Sequence, residues 1–167
     1  MTMRSAKQPS PRADTAGVLV RPPPLYLGAV ALSFGLDFAL PLRFAPGGLD
    51  DTLQYGVGGA LMLVAFAIMA VGVTQFRRAG TNVPPTRPTT ALVTRGLYAL
   101  SRNPLYISLS LLMAGIALAA DRAWILILLA PVLLIMRYGV IAREERYLER
   151  KFGDAYRAYK AKVRRWL

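Results

Sequence analysis

Residues 105–142 read LYISLSLLMAGIALAADRAWILILLAPVLLIMRYGVIA, and in these 38 residues only Asp121, Arg122 and Arg137 carry charge. At ~1.5 Å per residue each half spans about 24 to 28 Å as a helix, close to the thickness of a bilayer core. The reading is two apolar helices, Leu105–Ala120 and Trp124–Ala142, folded into a tight hairpin about Asp121-Arg122. Pro104 suits the first turn of the first helix, with Asn103 or Ser101 near its N-cap, and the free N–H groups there suit an anionic group.

Working outward, Tyr55–Phe76 (YGVGGALMLVAFAIMAVGVTQF) carries no charge and is rich in small residues that let helices approach closely in lipid. Leu25–Leu42 (LYLGAVALSFGLDFALPL) carries one charge, Asp37. The expected fold is therefore all-α: a polytopic integral membrane protein of about four transmembrane helices. Residues 1–24, rich in Pro, Ser and scattered charge, read as a flexible tail closed by Pro22-Pro23-Pro24, and no signal-peptide pattern precedes Leu25. Residues 25–167 then form one domain. Beyond residue 142 the helix is expected to run to Phe152, break at Gly153 and restart at Asp154. Tyr156, Tyr159, Val163 and Trp166 fall on one face of that last segment, the pattern of an amphipathic helix lying at a membrane surface.

The chain has 167 residues, 54% of them apolar, and 21 Lys and Arg against 9 Asp and Glu. Sorted by the four spans, 18 of the basic residues fall on one side of the bilayer and 2 on the other. The positive-inside rule puts both termini and the 77–104 loop in the cytoplasm, so the net charge of +12 needs no nucleic acid partner. Cysteine and histidine are absent, which removes thiolate nucleophiles, histidine general bases, disulfides and almost every zinc site.

Polar chemistry concentrates at the cytoplasmic ends. The stretch Thr81–Tyr106 (TNVPPTRPTTALVTRGLYALSRNPLY) is longer than an idle connection usually is. Arg137 precedes Glu144 by seven residues, which on a regular helix returns both side chains to nearly the same face. Glu144-Glu145 interrupts a basic surface just where the apolar helix ends. Asp37 lies midway along the first span, as a proton-carrying carboxyl, a partner for Arg137, or a protonated and tolerated group.

Taken in order, Gly96-Leu-Tyr98, Ser101-Arg102-Asn103-Pro104-Leu105-Tyr106, an apolar hairpin, Glu144-Glu145, and Phe152-Gly153-Asp-Ala-Tyr156-x-x-Tyr159 with Arg164-Arg165 resemble the isoprenylcysteine carboxyl methyltransferase and phospholipid methyltransferase superfamily, in its small bacterial members. The resemblance covers roughly residues 76–165. It implies an integral-membrane methyltransferase, in the inner membrane of a bacterium, with S-adenosylmethionine bound on the cytoplasmic side. Gly96, Tyr98, Arg102, Asn103, Pro104, Tyr106 and Glu145 take the cofactor-binding roles. From the charge pattern, apart from the resemblance, Arg137 and Glu144 are the catalytic candidates, Arg137 orienting an anionic acceptor such as an isoprenylcysteine carboxylate. No metal is implied, and the acceptor is lipophilic. Asn103 stands where the family has histidine. A small proton-coupled transporter using Asp37 is the alternative that hydropathy alone supports.

Overall fold

The computed structural model describes residues 14–45 and 47–167, and among them every regular element is helical. Helix α1 is Pro22–Ala39. Its first turn is built from the three prolines, whose fixed φ suits a position where backbone N–H groups have no intrahelical partner. The triproline therefore starts the helix rather than closing a tail. Helix α2, Gly58–Arg78, continues from a wider π-helical turn, Thr52–Val57, so that one apolar rod covers Thr52–Arg78. A single turn, α3 (Leu97–Leu100), follows the long loop. Helices α4 (Pro104–Ala119) and α5 (Ala123–Ile135) form the hairpin. A second π turn, Met136–Ile141, joins α5 to α6 (Ala142–Phe152), and α7 (Asp154–Lys162) begins after Gly153, whose φ is 54°.

Two of these rods, Thr52–Arg78 and Ala123–Phe152, are long and apolar enough to cross a membrane, and Pro104–Ala119 is apolar but shorter. Helix α2 lies along α4, and α1 along α5. The α2–α4 crossing is close because Gly58 and Gly115 face each other: a Cβ on Gly58 would sit 2.8 Å from the Ala119 backbone N, and one on Gly115 would sit 2.9 Å from the Gly58 carbonyl. The interior is a column of Tyr26, Met113, Ala117, Ile125, Val132, Met136, Val140 and Ile141. Large apolar side chains also point outward all along the rods, among them Leu27, Phe38, Leu63, Phe66, Ile127 and Leu134. Water gives no reason for that distribution; a hydrocarbon surround does.

The end of the bundle away from the termini is stapled by polar contacts. Asp121, in the hairpin turn at φ 48°, accepts from the Phe44 N–H at 3.2 Å, while Arg43 reaches the carbonyls of Ala120 and Asp121. The Trp124 indole N–H donates to Leu40 O at 2.8 Å. Asp37, 2% exposed, belongs to this staple: one carboxylate oxygen accepts the Leu42 N–H at 3.0 Å and the other is paired with Arg122. Its partner is thus Arg122 of the turn, and Arg137 is elsewhere.

Two sequence expectations change at the other end. Residues 14–20 are packed rather than free: the Leu19 N–H donates to Gly139 O at 3.0 Å, and Val18 and Val20 pack against the interior column. The first 13 residues of the expected tail lie outside the described residues. Helix α7 ends at Lys162, and Tyr156 and Tyr159, expected on a membrane-facing side, are buried in the protein against a cavity.

Candidate functional site

At the end of the bundle that gathers both termini, a cavity enclosing about 830 Å³, open mouth included, lies between the 82–93 loop, the start of α4, and α6 with α7. Its walls are aromatic and apolar (Phe76, Leu92, Tyr98, Leu105, Tyr106, Leu148, Tyr156), with Arg102, Asn103, Glu144 and Glu145, and Asn82 and Thr89 of the loop, as polar groups.

The loop is placed by its own polar residues. Thr81 Oγ1 accepts from Thr90 N–H at 2.9 Å, Asn82 Nδ2 donates to Pro88 O at 2.8 Å, and the Tyr147 hydroxyl accepts from Thr89 N–H at 3.0 Å. Gly96 then turns the chain at φ 63°, in a space where a Cβ would overlap the Gln75 amide at 1.9 Å. The turn delivers Tyr98 into the cavity, edge-on to Phe76 at 5.1 Å between ring centroids. The Tyr98 carbonyl accepts from the Tyr159 hydroxyl at 2.7 Å, which locks α3 to α7. The Tyr98 hydroxyl itself is buried with no hydrogen-bond partner among the described residues.

Next in sequence, 101–103 is held by the C-terminal segment. Arg102 N–H donates to Arg164 O at 3.0 Å, and Asn103 Nδ2 donates to Arg165 O at 2.8 Å. Glu145 sits between two guanidiniums: Arg165 grips it through two bonds of 3.0 and 2.7 Å, and Arg102 Nη2 is 3.1 Å from its Oε1. That carboxylate also raises the Arg165 pKa, chiefly through the hydrogen bonds. Glu145 thereby holds Arg102 in the cavity wall, where its Nε and Nη1 are buried and make no well-aligned hydrogen bond among the described residues, although the guanidinium lies near enough to the Tyr156 hydroxyl to counter part of that group's raised pKa. A buried guanidinium with two unspent donors suits a carboxylate or another acceptor-rich group. Glu144, one residue earlier, lines the cavity and accepts the Tyr106 hydroxyl at 2.7 Å. Burial pushes the Tyr156 hydroxyl up to about 12, with the Glu145 charge adding to it, and burial also raises Tyr98 and Tyr159. All three phenols are neutral donors at physiological pH.

Of the residues singled out from the sequence, Tyr98, Arg102, Asn103, Pro104, Tyr106, Glu144 and Glu145 lie together on this cavity, and Gly96 lies behind it. Arg137 does not. It is exposed, its guanidinium 5.5 Å from the Tyr138 ring, and it lines no part of the cavity. The reason is the π turn Met136–Ile141, which begins one residue before Arg137. A wider i→i+5 turn advances each residue by a smaller angle, so seven residues no longer bring the chain back to one face. The same change of register turns Tyr138 outward and Glu145 inward. Residues passed over in the sequence reading also line the cavity: Phe76, Tyr147, Leu148, and Ala16 from before α1. Only their position opposite the loop marks them, since singly each reads as ordinary apolar or aromatic packing.

A family model described as phospholipid methyltransferase matches residues 53–155, which covers α2 through the start of α7 and the cavity lining except Ala16, Tyr156 and Tyr159. The chain belongs to the phospholipid methyltransferase family, within the isoprenylcysteine carboxyl methyltransferase-type superfamily, and so to the membrane methyltransferases. Among curated proteins it is similar to an uncharacterized protein of Haemophilus influenzae, 46% identical over 65 residues, which span 38% of this chain and all of that one. No solved structure matches.

Proposed function

We propose that this chain is an S-adenosylmethionine-dependent methyltransferase that crosses the membrane about four times, through α1, α2, α4 and α5, with both termini in the cytoplasm of a bacterium, and methylates a lipophilic acceptor. The observation that carries the reading is the Arg102 guanidinium, buried in the cavity wall with Nε and Nη1 unpartnered and oriented by Glu145. The donor set fits the cofactor: Arg102 suits its carboxylate, Tyr98 offers a free hydroxyl, and the rings of Phe76, Tyr98 and Tyr106 offer faces to a sulfonium. When bound, S-adenosylmethionine supplies an electrophilic methyl group.

The chain's own residues do the rest. Asn103, whose amide is spent on Arg165 O, and Pro104 shape the turn that presents Arg102 and starts α4. Gly96 allows the approach that seats Tyr98. Apolar walls exclude water, so an entering nucleophile meets the methyl group without its hydration shell. Glu144, fixed by Tyr106, is the cavity's carboxylate without a cationic partner. It favours an acceptor that donates hydrogen bonds, such as an amine headgroup: Glu144 accepts the ammonium proton, and the freed lone pair is the nucleophile. An isoprenylcysteine carboxylate is the less favoured acceptor, because Arg137, the cation expected to orient it, faces away. Asp37 is tied to Leu42 and Arg122 at the far end of the bundle, a structural staple that gives the transporter reading no added support.

The test is calorimetric titration of detergent-solubilised protein with S-adenosylmethionine and S-adenosylhomocysteine, followed by transfer of labelled methyl groups into extracted lipid. Saturable binding that Arg102→Ala weakens, with label in an amine-bearing lipid, is the expected result. Folded protein that binds neither compound overturns the reading.

A further inference from the structure

The segment before α1 lies outside the family match, yet it reaches the cavity. Four contacts seat it. The Asp14 carboxylate accepts Lys151 Nζ at 2.7 and 2.6 Å and the Tyr147 hydroxyl at 3.0 Å. Ala16 is buried and lines the cavity. The Gly17 carbonyl accepts Arg143 Nη1 at 3.0 Å, and the Leu19 N–H donates to Gly139 O, with the Leu19 side chain lying over Gly139. Backbone and side chain of the segment are thus bonded along the outer face of the π turn and α6.

The Tyr147 hydroxyl is where this segment meets the opposite rim. It gives its proton to Asp14 and accepts from Thr89 N–H, at 3.0 Å, and from Lys151 Nζ, at 3.1 Å. One donor and two lone pairs are all a phenol has, so every hydrogen-bonding capacity of this atom is used. Thr89 belongs to the 82–93 loop, and Ala16 and Thr89 both line the mouth. Lys151 and Tyr147 also hold Asp14 below the usual carboxylate range.

We propose that Asp14–Val20 is a strap over the cavity and that Tyr147 is its positioning residue, one hydroxyl latching strap and loop together so that the two rims open as a unit to admit and release ligand. Ligand exchange then requires strap and loop to part from this hydroxyl, along with the strap's bonds to Lys151, Arg143 and Gly139, and the rate of exchange is set by the latch and not by the ligand's contacts alone. The strap stands on geometry by itself, and only the choice of ligand below rests on the proposed cofactor.

Hydrogen exchange of the full chain in detergent, without ligand, is the test, with Tyr147→Phe keeping the buried ring and removing the hydroxyl. Exchange in both 14–20 and 81–95 should rise about tenfold or more, the loss expected for a charge-assisted hydrogen bond, while α4 is unchanged. Asp14→Ala, at the chain's surface and harmless to the bundle, should raise exchange in 14–20 strongly and in 81–95 to a smaller extent. S-adenosylhomocysteine should both associate and dissociate faster in Tyr147→Phe. Exchange that rises in 81–95 alone makes Tyr147 a loop anchor and overturns the strap, as does unchanged dissociation. Failure of the wild type to bind S-adenosylhomocysteine sinks the cofactor assignment, and the exchange data still decide the strap.

Discussion

Replacing Glu145 by alanine removes the one carboxylate that two guanidiniums share. Its side chain is 9% exposed, that of Arg102 10% and that of Arg165 30%, so the Arg102 half of the network is the buried half. Removing one partner of a buried pair costs about 3 to 5 kcal/mol; with Arg165 partly solvated and Arg102 opening on a cavity that admits water, about 2 to 3 kcal/mol of stability is the reasoned loss. At about 2 to 4 °C per kcal/mol for a chain of this size, the thermal midpoint falls by roughly 4 to 12 °C without melting the apolar rods. The effect on binding is larger in proportion. Arg102 loses the group that fixes its direction, and a charge-assisted hydrogen bond to a ligand carboxylate is worth about 1.5 to 3 kcal/mol, which weakens affinity for S-adenosylmethionine by about 10- to 150-fold. Calorimetric titration of the folded variant reads the second number and differential scanning fluorimetry the first. Glu145→Gln, which keeps the shape and one acceptor, should fall between. Wild-type affinity in Glu145→Ala would refute the argument that Glu145 works by holding Arg102.

Arg137→Ala should leave methyl transfer and cofactor affinity within about twofold of wild type, since surface substitutions away from a site are worth about 0.5 kcal/mol or less; a hundredfold loss of turnover would restore the regular-helix register that the π turn denies. Asp37→Asn should cost about 2 to 4 kcal/mol of stability by stranding Arg122, visible as a lowered thermal midpoint, with no change in the pH dependence of turnover. Tyr156 is raised to about 12 in the folded chain against about 10 unfolded, so its contribution to stability is complete below pH 10 and is lost as pH rises through 12. Denaturation followed by phenolate absorbance should therefore steepen across that window, and Tyr156→Phe should flatten it.

The hydrophobic rods were legible from composition and length alone, because the stretches at 55–76 and 105–142 contain almost nothing that water would hold. The order of the polar motifs was legible too: Tyr98, Arg102, Tyr106 and the Glu pair do meet on one cavity. Legibility failed where the backbone departs from a regular helix. Spacing arithmetic assumes 100° per residue, and the π turn at Met136–Ile141 breaks it, which is why Arg137 and Glu144 part company. It failed again where polar groups choose among several partners within reach. Asp37 had three readings until the hairpin turn placed Arg122 against it, and the pairing of Glu145 with Arg165, twenty residues away, was not legible at all.

What the sequence determined by itself is thus everything local and additive: which segments are apolar, and where prolines and glycines start and stop them. What only the tertiary structure decided is everything that depends on two distant segments meeting. The Arg102–Glu145–Arg165 network and the Tyr147 hydroxyl that meets both Asp14 and Thr89 each join residues far apart in the chain. A hydrogen bond needs its two atoms within about 3 Å and aligned, and no pattern along one strand of sequence carries that information.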